Sequence, residues 1–148
     1  MGRKVMFKKY YLDERDPNIE VTEVDIDELR KADRWGWTVA HDLAYEGWKT
    51  EDPEVLRWAN DEGWTVAHEQ ASHWWITDDE ELMKLKTRNG WTVAHEMAYK
   101  SQSTGWWWEN EEILKMKDRR GITVKQLMEF RNTAFDFFEL FNSLKEER

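Results

Sequence analysis

The sequence predicts an all-α protein, a solenoid of stacked helix–turn–helix units with irregular caps. Three observations predict it. The hexapeptide Gly-Trp-Thr-Val-Ala-His occurs three times, at Gly36–His41, Gly63–His68 and Gly90–His95. Its glycines are spaced by 27 residues, and a degenerate copy starts at Gly121, 31 residues after Gly90. Behind each copy the apolar positions share one helical face, as Val39, Ala40, Leu43 and Ala44 do in the first.

The elements follow in order. Residues 1–35 form an N-terminal segment and a leading half-repeat, in which "DIDELRKADRWG" reads as a second helix burying Val24, Ile26 and Leu29. Residues 36–120 hold three repeats. Thr38, Thr65 and Thr92 stand just before the apolar run, where a hydroxyl can accept an orphan backbone N–H as an N-cap. The glycine before each admits the turn that leads into the helix, and the alanines let a neighbouring helix approach. A second helix is expected in each unit. In "TEDPEVLRWA", Asp52 is the N-cap and Pro53 takes the first helical position. In "TDDEELMKLK", Thr77 and Glu80 have capping-box spacing. "ENEEILKMK" opens with acids and closes with lysines, as the helix dipole favours. One helix pair cannot bury its apolar face alone, whereas stacked pairs can. Residues 121–148 decay into a capping repeat. "TVKQLMEF" is its first helix, and Thr133 with Asp136 marks the start of a second, where Phe137, Leu140 and Leu144 form a stripe beyond the one a cap needs. That stripe is covered by the N-terminal "VMFKKYYL" or offered to a partner.

The repeated hexapeptide, with an alanine three residues further on, resembles the ankyrin-repeat signature G-x-T-P-L-H-x-A over roughly residues 22–131. Val39, Val66, Val93 and Val124 stand where that signature has proline or its counterpart, and the period is shorter than the family's, which is about 33. The resemblance implies that Thr38 and His41, Thr65 and His68, and Thr92 and His95 bond locally and lock the start of each helix. It also implies a scaffold or adaptor that binds protein through one face of the stack.

Composition narrows the function. The chain has no cysteine, which removes disulfides and thiolate metal sites. Its formal net charge is −9, and residues 31–118, with 10 basic and 18 acidic groups, carry −8 of it. Such a surface should repel free nucleic acid and anionic membrane and attract a basic protein. Eleven tryptophans argue against disorder. The sequence shows no secretory signal pattern and no apolar run that could span a membrane. A cytoplasmic protein of a bacterial, archaeal or phage-infected cell is expected, and a virion is also compatible.

Catalytic and metal readings fail on geometry. Equivalent histidines in stacked helices lie about 8–10 Å apart, whereas zinc needs its ligands near 2 Å. "HEQASH" (His68–His73) misses the metalloprotease pattern by one residue, because Ser72 occupies the position that needs the second histidine. His41–Asp42, His68–Glu69 and His95–Glu96 are adjacent pairs, and adjacent helical residues do not face each other. No cofactor, metal or enzymatic activity is expected.

The tryptophans divide by period. Trp37, Trp64 and Trp91 share one repeat position, and Trp48, Trp75 and Trp106 share another, so both sets are assigned to packing. Trp107 and Trp108 fall where the third repeat carries its four extra residues. With Glu109, Glu111 and Glu112 they are the candidate partner surface, together with Phe137, Leu140 and Leu144. The function expected is non-catalytic protein binding. Two alternatives are a small acidic, phage-encoded inhibitor that blocks a basic nucleic-acid-binding surface of a host enzyme, and a structural or virion component that self-associates.

Overall fold

The computed structural model describes residues 2–11 and 18–129. The expected Thr133–Asp136 cap and the stripe of Phe137, Leu140 and Leu144 lie outside them. The chain divides into two compact units, Met1–Trp75 and Ile76–Arg148.

The all-α solenoid is not what forms. The protein is mixed α/β: a two-stranded antiparallel sheet accompanies, among the described residues, nine helices of four to seven residues. The sheet joins β1 (Lys4–Tyr11) to β2 (Asn18–Asp25), in a register that sets Lys8 opposite Val21 and Phe7 opposite Thr22. The first strand alternates as a half-buried strand must. Val5 and Phe7 are buried, while Met6, Lys8 and Tyr10 face out. Residues 5–11 of "VMFKKYYL" are therefore strand, with Val5 and Phe7 in the core of the first unit.

Ion pairs and backbone bonds fasten the sheet to that unit. Lys8 and Lys49 exchange both backbone bonds at 2.8 Å. The Ile26 N–H donates to the Arg3 carbonyl at 2.9 Å. Arg3 makes a two-pronged pair with Asp52, and its guanidinium holds the Asp52 carboxyl below the usual range. Asp52 at the same time caps α3, accepting from the Glu54 and Val55 N–H groups.

The helices of the first unit are α1 (Ile26–Leu29), α2 (Val39–Tyr45), α3 (Pro53–Leu56) and α4 (Val66–Ser72). Those of the second are α5 (Glu80–Met83), α6 (Val93–Tyr99), α7 (Ser101–Thr104), α8 (Glu111–Leu114) and α9 (Val124–Glu129). In the first, α2 packs on α4, and Ala40, Ala44, Ala67 and Ala71 are all fully buried; in the second, α6 packs on α9. Ile26 and Leu29 are buried as expected, but Val24 belongs to β2 and is only half-buried.

The expected second helices stop after about one turn, and the cause is local. The Trp58 carbonyl accepts from the Val66 N–H at 3.0 Å, and Ala59 bridges Thr65, so the chain is drawn into a narrow antiparallel turn. The same bridge recurs as Ala32–Thr38, Lys86–Thr92 and Lys117–Thr123. Each helix is exchanged for a short extended pair at its C-terminal end. Thr77 is not a cap either: Asp79 caps α5, and the Thr77 hydroxyl accepts from the Asp79 N–H.

Phe7 tests the place of the sheet. Its ring is 0% exposed, so Phe7→Ala should cost about 3–5 kcal/mol. Met6→Ala on the opposite face should stay within about 0.5 kcal/mol of the parent. Urea unfolding of the two variants checks both values.

Candidate functional site

Each repeat is organised by a turn and a histidine. The turn starts three residues before the glycine, at Asp33, Asn60, Thr87 and Asp118. Asp33 Oδ1 accepts from the Trp35 and Trp37 N–H groups, and Asn60 Oδ1 accepts from Glu62 and Trp64. Thr87 Oγ1 serves Asn89 and Trp91 in the same way, and Asp118 Oδ1 serves Arg120 and Ile122. Gly36 then takes φ +85°, and a Cβ there would stand 3.0 Å from the Asp61 backbone nitrogen. Gly36 is thus required both by its left-handed backbone and by close approach of the following repeat's turn.

The threonines and histidines close the helix starts. Thr38 Oγ1 accepts from the His41 N–H, and His41 Nδ1 accepts from the Thr38 N–H at 3.2 Å. Thr65 with His68 and Thr92 with His95 form the same reciprocal capping box. Since Nδ1 accepts, the proton of the neutral ring sits on Nε2. His41 Nε2 donates to the Trp64 carbonyl at 2.9 Å, and His95 Nε2 donates to the Ile122 carbonyl at 2.8 Å. Each ring therefore ties its own helix to the turn of the following repeat. Burial pushes both imidazoles below their ordinary pKa. Gln126 takes over part of this task in the last copy, accepting from the Thr123 N–H at 2.8 Å.

The tryptophans separate by environment. Trp75 and Trp106 are each 5% exposed, and Trp48 is half-buried. Trp91 lies against His95 and donates its indole N–H to Glu96 at 2.8 Å; Trp64 does the same with His68 and Glu69. The first repeat has Asp42 in place of glutamate, one carbon shorter, and no such bond is formed by Trp37, whose ring is more open to solvent.

The candidate partner residues fall in the second unit. Trp108 is drawn into packing: its ring stacks on Trp106 at 6.2 Å and its N–H points to Glu80 at 3.5 Å. Trp107, the residue between them, is 51% exposed. Glu109, Glu111 and Glu112 are all exposed around the start of α8, which Asn110 caps. Glu112 pairs with Lys84 at 3.0 Å and Glu111 approaches Lys115 at 4.0 Å, while Glu109 makes no ion pair among the described residues. Trp107 and the three carboxylates are thus all exposed, and Trp108 is drawn into packing.

Sequence reasoning missed the turn-forming oxygens, although the signal is an Asp, Asn or Thr three residues before every repeat glycine. It also missed Trp74, which takes φ +68° at the position held by Gly47 and Gly105 in the neighbouring repeats. A bulky residue in that region carries about 1–3 kcal/mol of strain. Among the described residues, no group of three or more His, Asp or Glu side chains is arranged to hold a metal ion, and no helix is long and apolar enough to cross a membrane. Comparison with protein-family models and with curated proteins found no match.

Two outcomes follow from this geometry. The folded state resists protonation of His41 and His95, so it binds fewer protons than the unfolded chain. Their stabilisation is complete above the ordinary value of 6.5 and is lost as pH falls below it. Urea midpoints should drop on going from about pH 7.5 to about pH 5, and the double variant His41→Gln, His95→Gln should flatten that drop. Separately, Trp108→Ser should lower stability by about 2 kcal/mol or more, while Trp107→Ser should stay within about 0.5 kcal/mol; thermal melts of the two variants distinguish them.

Proposed function

We propose that this protein is a non-catalytic binding module whose partner is a protein with a basic surface, engaged through Trp107 together with Glu109, Glu111 and Glu112. The observation that carries the reading is the exposure of Trp107 between two tryptophans that are packed. The neighbouring rings serve the fold, and this one is half exposed. Exposed aromatics in loops make good anchors. The carboxylates beside it suit a lysine- or arginine-bearing partner and steer its approach.

The absence of catalysis belongs to the same proposal. His41 and His95 have both ring nitrogens committed to backbone groups, so neither is placed to move a proton to or from a substrate. We place the module in the cytoplasm. A narrower form of the reading, an acidic inhibitor that occupies a basic nucleic-acid-binding surface, draws its support from the excess of 8 acidic groups over residues 31–118.

Affinity capture from a lysate of the native host tests the reading. The wild type should retain a basic protein whose binding weakens as salt is raised. Trp107→Ser should lose that protein, with a cost of about 2 kcal/mol or more, at unchanged melting temperature. Equal retention by the variant would remove Trp107 from the interface.

A further inference from the structure

The sheet leaves one edge unpaired. On its inner side β2 meets β1, and β1 is in turn bridged to Lys49. Lys8 spends its backbone N–H and carbonyl on Lys49, so Lys8 and Val21 are a pair without mutual hydrogen bonds. In an antiparallel ladder such pairs alternate with bonded ones. The N–H and carbonyl groups of Ile19, Val21 and Glu23 therefore point away from β1. Among the described residues none of them has a backbone partner on that edge.

The strand lacks the usual protections of a free edge. It is eight residues long and contains no proline and no lysine. Ile19 and Val21 are 52% and 56% exposed, and they continue an outward face with Met6 and Tyr10. Its charges are all negative: Glu20, Glu23 and Asp25. Glu20 and Glu23 make no ion pair among the described residues. A second copy of so acidic a strand would bring like charges together, which opposes self-pairing.

We propose that the outer edge of β2 is a docking site for an extended protein segment of mixed basic and apolar residues that adds to the sheet as a third strand. The inner neighbour of β2 already has this composition. β1 reads Lys-Val-Met-Phe-Lys-Lys-Tyr-Tyr and sets Lys4 opposite Asp25 and Lys9 opposite Glu20. The outer edge offers carboxylates on both faces, Glu20 on one and Glu23 and Asp25 on the other, to a second strand of similar composition. Main-chain bonds to Ile19, Val21 and Glu23 supply affinity, and the charge supplies selectivity. This site lies in the first unit and does not depend on Trp107.

A short synthetic peptide of alternating lysine and valine tests the proposal by amide hydrogen exchange on the full chain. With the peptide at about ten times its Kd, exchange at Ile19, Val21 and Glu23 should slow about tenfold. Glu20 and Thr22, already bonded to β1, should change little. A glutamate–valine peptide and a backbone N-methylated lysine–valine peptide should give no protection. Glu20→Gln with Glu23→Gln should weaken binding of the lysine peptide by about tenfold or more, and Trp107→Ser should leave it intact. Unchanged exchange at the three amides, or equal binding of the acidic peptide, overturns the proposal. So does protection in the free monomer, which would assign the edge to this chain, or protection that grows with protein concentration, which would assign it to a second copy.

Discussion

The imidazole of His41 joins two stretches of chain 23 residues apart. Nδ1 accepts from the Thr38 backbone at the start of α2, and Nε2–H donates to the Trp64 carbonyl in the next turn. His95 repeats the arrangement with Thr92 and Ile122. Both rings are almost wholly withdrawn from water. A buried donor or acceptor without a partner costs about 1–3 kcal/mol, so each nitrogen must find one, and only the neutral Nε2–H form satisfies both bonds. The other features of the repeat make that fit possible. The left-handed backbone of Gly36 lets the next turn come close, and Asn60 and Asp118 form the turns whose carbonyls His41 and His95 meet.

A chain organised this way spends its most reactive side chains on structure. The threonine hydroxyls cap helices, His41 and His95 tie successive turns, and Glu69 and Glu96 hold indole N–H groups. Two exposed regions carry the proposed binding sites. One is Trp107 with the carboxylates of α8, and the other is the outer edge of β2. Both are acidic and partly apolar.

The threonine caps were legible because each depends on residues within a few positions of one another. Asp52 with Pro53 was legible as a helix start for the same reason. The sheet was not read. β1 alternates Val5 and Phe7 against Met6 and Lys8, a clear period of two, but attention to the 27-residue repeat made it a covering segment. The second helices were overestimated because "PEVLRWA" is a good helix by propensity, and propensity is silent about the Ala59–Thr65 bridge that ends it. That bridge depends on the turn at Asn60 and on Thr65, six residues after Ala59. Trp107 and Trp108 look equivalent in sequence, and only the stacking of Trp108 on Trp106 separates them.

The protonation state of the repeat histidines is the most direct test. Two-bond nitrogen–proton correlation spectra of the imidazole rings at neutral pH report which nitrogen carries the proton. His41 and His95 should both be neutral, with the proton on Nε2 and that N–H slow to exchange. An Nδ1–H tautomer, or rings that titrate at their ordinary value with rapidly exchanging protons, would contradict the account, because neither state can accept from its threonine and hold the following turn at once.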